Sequence, residues 1–271
     1  MEFSISLLTE LLIIGGLVGF LTGLFGIGGG VFLVPTLLYL FMKEGIAVEL
    51  ATPMALGTSL GIAFIASLAT TASHIKMRSF DPKIATAIVV SGIFGAQFGA
   101  LAGSRWDPII VHRLFGMIVS LIGIYILIFQ ITEPGEQIYD RILWTKAIVI
   151  GFSVSFFSGL LGIGGGSMMI PLLILFLEVP YPKAVGTSTL FMAVASLSGA
   201  AGYVFNGWQR AGLPTYTLGY IHVGVLLITG ITILLVAKFG VAISHRASPR
   251  ILARILAGLL LFIGIRTLYF T

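Results

Sequence analysis

Two glycine runs carry the residues best placed for chemistry: Gly26-Ile27-Gly28-Gly29-Gly30 and Gly162-Ile163-Gly164-Gly165-Gly166. Glycine admits positive φ and lets a ligand touch the backbone. Each run opens an apolar segment expected to be helical. The first N–H groups of such a helix lack partners and carry about half an elementary positive charge. A glycine turn at a helix start is therefore a cradle for an anion. The competing reading is close helix packing of the GxxxG kind. The pairing favours a site, because half-helix N-termini point at the substrate in inverted-repeat transporters. A Rossmann or P-loop reading fails: no soluble strand precedes either run, and no Lys-Ser/Thr ends one.

A second pair of elements follows the runs, ALGTS at 55–59 and AVGTS at 184–188. Thr58, Ser59, Thr187 and Ser188 can complete an oxyanion's shell, or bond a backbone carbonyl one turn back. His74 and His222 are candidates for a coupling proton, or for interfacial helix-end groups. Gln97 reads as interhelical glue or as a pore residue. No catalytic constellation is present: GxSxG and HExxH are both missing. With no cysteine, disulfides, thiolate metal sites and Cys nucleophiles are excluded. Neither a metal nor a cofactor is expected. The ten acids all fall outside the depths of the expected spans. Cation carriers usually need an intramembrane acid, so this pattern speaks against them.

The elements that position these groups must lie in lipid. The chain is 58% hydrophobic and 9% charged, with mean hydropathy +1.11. Soluble domains carry about 25% charged residues. The 15 Lys and Arg are scattered over short loops, which reads as topology rather than a nucleic-acid footprint. The first apolar stretch leads into the glycine turn and has no basic n-region, so it reads as a retained helix.

Residues 23–35 (GLFGIGGGVFLVP) and 159–171 (GLLGIGGGSMMIP) agree at eight of thirteen positions. The TS elements, and Ser67 with Ser196, repeat at a spacing of 129. The chain is thus two homologous halves, 1–132 and 133–271, forming one integrated membrane domain. Apolar segments run at about 7–25, 31–42, 50–75, 83–103 and 109–131, then 144–161, 167–178, 183–205, 215–238 and 251–270. They predict an all-α integral membrane protein, since lipid forces backbone groups to pair within each segment. The second segment of each half is too short to span. Its partner arm, counted from its last charge (Glu10 or Lys146), is short as well. Each half therefore opens with a Gly-tipped helical hairpin. Counting hairpins that return to their own side places ten Lys/Arg on one face and five on the other. The alternative gives eight against seven. The positive-inside rule selects the former, with both termini outside and the halves inverted.

The paired GxxGxGGGxxxxP turns, each followed by GTS, resemble the TauE/SafE sulfite exporter family, also called the toluene sulfonate uptake permeases. The resemblance covers nearly the whole chain. It implies a transporter of sulfite, sulfoacetate or a related organosulfonate in a bacterial or archaeal inner membrane. Eight spans are customary there, against the ten segments counted here. The expected mechanism is secondary carriage by alternating access. A passive anion channel and a non-transporting scaffold are the alternatives. Expected partners are the small anion and the lipid bilayer, with no nucleic acid and with self-association left open.

Overall fold

The computed structural model describes residues 5–25, 28–76, 80, 82–128, 144–244 and 248–269. Ten helices are present among them: α1 Ile5–Phe25, α2 Gly30–Lys43, α3 Val48–Lys76, α4 Pro82–Arg105, α5 Pro108–Ile128, α6 Trp144–Leu161, α7 Gly166–Leu177, α8 Tyr181–Asn206, α9 Val223–Ser244 and α10 Pro249–Tyr269. A two-stranded antiparallel hairpin, β1 Thr217–Leu218 and β2 Ile221–His222, precedes α9. Eight of the helices are long and apolar enough to cross a membrane, and α2 and α7 are shorter. At about 1.5 Å per residue, the 14 residues of α2 and 12 of α7 reach only part of the way through a bilayer core of about 30 Å. The protein is an all-α multi-pass membrane protein.

Two expectations need correction. The arms before the glycine turns are longer than the count from Glu10 and Lys146 gives, since α1 has 21 residues and α6 has 18. A charge within the opening turns of a helix can reach the interface, so it does not end the apolar segment. The span expected at 215–238 begins instead at Val223 and runs to Ser244. Residues before it form the β-hairpin, with Tyr216 and Gly219 at φ 65° and 55°, values that no helix accepts. Lys238 consequently lies inside α9, its Nζ 5.3 Å from the Phe239 ring centre.

Small residues set the packing. Cβ atoms built on Gly95, Gly99 and Gly103 of α4 would meet Phe152, Phe156 and Leu160 of α6. Both sets of numbers rise together, so the helices run parallel with their backbones nearly touching. Gly15, Gly19 and Gly23 of α1 face Thr232, Ile233 and Ala237 of α9 in the same manner. Exchanging the halves turns the first pair into the second.

The equivalent central helices, α3 and α8, run antiparallel. Gly57 faces Tyr203, Gly199 faces Leu60, and Thr71 Oγ1 donates to the Thr189 carbonyl at 3.0 Å. The pair α5 and α10 is also antiparallel, with Gly116 against Leu268 and Gly123 against Leu261. The core centres on α3, whose stretch Val48–Leu68 is 78% buried, whereas α9 and α10 are 22% buried and present their apolar faces outward.

The hairpins open at opposite ends of this bundle. Helix α1 runs with α9, which runs with α3, because Gly61 meets Leu226 and Gly230 meets Ile65. Helix α6 runs with α4, which runs with α8, because Gly92 meets Phe191 and Gly202 meets Ala100. Since α3 and α8 oppose each other, so do α1 and α6. Lys43 at the end of α2 donates to Glu10 near the start of α1 at 2.6 Å, which closes the open end of the first hairpin.

Candidate functional site

Both glycine turns lie beside the middle of α3 and α8. Gly28 and Gly29 take φ 79° and 70°, and their repeat counterparts Gly164 and Gly165 take 86° and 76°. This left-handed backbone is costly for any residue with a Cβ. Gly29 and Gly165 are the N-caps of α2 and α7, and neither helix start receives a side-chain cap. Pro35 and Pro171 stand at the same step of the two half-helices, each removing one internal bond. Local structure thus repeats along with sequence. Gly26 lies outside the described residues.

The turns meet. A Cβ on Gly30 would collide with the Ile163 carbonyl, and one on Gly162 would lie 3.0 Å from the Leu56 Cα of α3. Gly28, Gly29, Gly30, Gly162, Gly164, Gly165 and Gly166 are all buried. The Met192 side chain of α8 stands between the turns. Its Sδ would be 2.6 Å from a Cβ on Gly28 and 3.0 Å from one on Gly166. In the first half the corresponding residue is Ala63, whose methyl would lie 3.2 Å from a Cβ on Gly164.

The TS hydroxyls divide by role. Ser59 Oγ donates to the Gly162 carbonyl at 2.8 Å, and Ser188 Oγ to the Gly166 carbonyl at 3.2 Å. Thr58 Oγ1 accepts from the His222 backbone N–H at 3.1 Å. The Thr187 hydroxyl is fully buried and has no hydrogen-bond partner among the described residues. Two of the four hydroxyls therefore hold carbonyls at the second turn.

His222 is buried in β2 and stacks on Phe41 of α2 at 6.1 Å between ring centres. It sits beside Thr58 rather than at the turns. The His74 side chain lies outside the described residues. Gln97 Nε2 donates to the Ser198 carbonyl at 2.7 Å and to Ser198 Oγ at 3.2 Å, which ties α4 to α8. Trp106, Trp144 and Trp208 are exposed at helix ends, as interface anchors are.

Three side chains at the turns escape the sequence reading. Thr22 and Ser158 stand seven residues before Gly29 and Gly165, again 136 apart, and both hydroxyls are buried without a partner among the described residues. The repeated block begins at Gly23 and Gly159, so one more residue upstream reveals the pair. Met192 carries no such signal, because its counterpart is alanine.

Among the described residues no group of His, Cys, Asp and Glu could hold a metal ion. Among the described residues the buried polar side chains are hydroxyls and two histidines, with no Lys, Arg, Asp or Glu. The groups the turns can offer to a ligand are therefore amides, dipoles and hydroxyls.

Residues 11–267 match the family described as Sulfite exporter TauE/SafE. The chain belongs to the TauE/SafE family. This TauE/SafE chain is 32% identical over 267 residues to a probable membrane transporter protein of Methanocaldococcus jannaschii, covering 98% of this chain and 97% of that one. It is 25% identical over 280 residues to a probable membrane transporter protein of Bacillus subtilis, with 96% of each covered. A probable membrane transporter protein of Haemophilus influenzae is 28% identical over 239 residues, 84% of this chain and 86% of the relative. The TauE/SafE chain is a membrane transporter and not an enzyme.

Proposed function

We propose that this TauE/SafE chain moves a small sulfur-containing anion, such as sulfite, sulfoacetate or a related organosulfonate, across a bacterial or archaeal inner membrane. The observation carrying this reading is the meeting of two left-handed glycine turns, one from each half, each opening a half-helix. Two helix N-termini then direct their dipoles into one buried region. Among the described residues no acid is buried in that region, which favours an anion over a cation.

The halves, 1–132 and 133–271, act as an inverted pair with both termini outside. Antiparallel α3 and α8, antiparallel α5 and α10, and hairpins opening at opposite ends support this. Rocking one half against the other would expose the turns to each face in turn. Met192 and the contact of Gly30 with Ile163 close the region in the arrangement described here. A closed centre favours a carrier over a continuously open channel.

The test uses purified protein in proteoliposomes. Saturable uptake of sulfite or methanesulfonate that responds to an imposed pH gradient is expected. Flux that rises linearly with concentration and carries current would overturn the carrier in favour of a channel.

A further inference from the structure

The two glycine turns are alike in backbone but unequal in what surrounds them. At the second turn, Ser158 Oγ would be 3.3 Å from a Cβ on Gly165, and Ser196 Oγ 3.4 Å from one on Gly164. Ser167 is the second residue of α7. These three side chains are 1%, 0% and 8% exposed, and none has a hydrogen-bond partner among the described residues. Several helical hydroxyls donate to the carbonyl one turn back, as Thr36, Thr86, Ser91, Thr232 and Thr267 do, while Thr22, Ser120, Ser155, Thr187 and Thr229 are buried without a partner among the described residues. What sets Ser158, Ser167 and Ser196 apart is that three such hydroxyls belong to one turn, and buried polar groups rarely go unpaired.

The first turn keeps one such hydroxyl, that of Thr22, and lacks the other two. Counterparts of Ser158, Ser167 and Ser196 are Thr22, Val31 and Ser67. Val31 has no hydroxyl, and Ser67 Oγ donates to the Phe64 carbonyl at 2.8 Å. Backbone groups differ as well. The Gly30 N–H turns inward to the Gly28 carbonyl at 2.9 Å, and the Phe32 and Leu33 N–H groups both return to Gly29 at 3.0 Å. At α7 only the Met169 N–H returns to Gly165, at 3.1 Å, and no backbone acceptor takes the Gly166 N–H among the described residues.

We propose that the α7 turn alone holds the transported anion, with Ser158, Ser167 and Ser196 donating to its oxygens. This rests on the reading of the paired turns as an anion site and narrows it to one of them. The ligand that fits is an oxyanion with several acceptor oxygens on one centre, because the turn offers the Ser158 and Ser196 hydroxyls beside Gly165 and Gly164, the Ser167 hydroxyl in the first turn of α7 and the Gly166 N–H. Sulfonate and sulfite head groups have that form.

The experiment follows thermal unfolding of the purified full chain while methanesulfonate or sulfite is titrated, since a ligand of the folded state raises its stability. The double variant Ser158→Ala with Ser196→Ala should need about tenfold or more anion for the same shift, as hydrogen bonds to charged groups are among the strong ones. Without anion it should unfold no earlier than the parent, because it loses only hydroxyls that have no protein partner. Thr22→Val should leave the anion response unchanged.

An equal loss in Thr22→Val, or an unchanged response in the double variant, overturns the α7 assignment and leaves the paired-turn reading standing. Earlier unfolding of the anion-free double variant also overturns it, by showing that the hydroxyls have protein partners. If neither anion stabilises or is carried by the parent protein, the anion reading falls and takes this assignment with it.

Discussion

Ser59, in the middle of α3, donates its hydroxyl proton to the carbonyl of Gly162 at 2.8 Å, joining the first half of the chain to the turn of the second. Both groups are buried, so neither has water as a substitute. Ser59→Ala should therefore leave the Gly162 carbonyl unsatisfied, with a stability loss of about 1–3 kcal/mol. Thermal unfolding in detergent measures this directly. Transport in proteoliposomes should fall as well, because the turn loses the bond that fixes its orientation. An unchanged unfolding temperature would show that the bond contributes nothing.

Left-handed glycines outside the site offer a control for those within it. Gly45 has φ 81°, and a Cβ there would meet nothing within 4 Å. Gly45→Ala should pay only the backbone strain, about 1–2 kcal/mol. Gly165→Ala pays the same strain and adds a Cβ only 2.9 Å from the Phe191 ring and 3.3 Å from Ser158. Transport should survive in the first variant and be lost in the second. Loss in both at equal stability would mean that strain alone, rather than the α7 turn, controls activity.

Much of this arrangement can be read from the sequence, because duplication repeats its signals. Both glycine turns, both short helices and the TS pair announce themselves at spacings of 136 and 129. What the repeat does not share is harder to see. The counterpart of Met192 in the other half is Ala63, and that of Ser167 is Val31, so no echo marks them. The α9 start is obscured for another reason. Residues 215–222 are apolar enough to extend a helix, but Tyr216 and Gly219 adopt positive φ and the chain folds into β1 and β2 instead. Hydropathy does not register that choice. The role of Ser59 is likewise hidden, since its partner lies 103 residues away.

The seam between α4 and α6 should be intolerant of side chains. A Cβ on Gly99 would meet the Phe156 carbonyl and lie 2.7 Å from the Leu160 amide nitrogen. Backbone cannot yield as a flexible side chain can, so Gly99→Leu should separate the helices and abolish a monodisperse peak on size-exclusion chromatography. Gly16→Leu makes the contrast, because nothing lies within 4 Å of a Cβ there and the new side chain would face lipid. It should purify and transport as the parent does. A well-folded Gly99→Leu protein would contradict backbone contact along this seam.

Met192 sets the separation of the two turns, and shortening it should loosen their closure. Its Sδ would lie 2.6 Å from a Cβ on Gly28 and 3.0 Å from one on Gly166, so the thioether fills the space between the two turns. Met192→Ala removes that filling and matches the alanine found at the equivalent Ala63. The lost packing should cost about 2–5 kcal/mol of stability. If the gap is the barrier to the anion, the same change should speed sulfite exchange in proteoliposomes despite the lower unfolding temperature. Met192→Leu keeps the bulk and should restore both values toward the parent. Slower exchange in Met192→Ala, with recovery in Met192→Leu, would instead make the thioether a support for the turns rather than an obstacle between them.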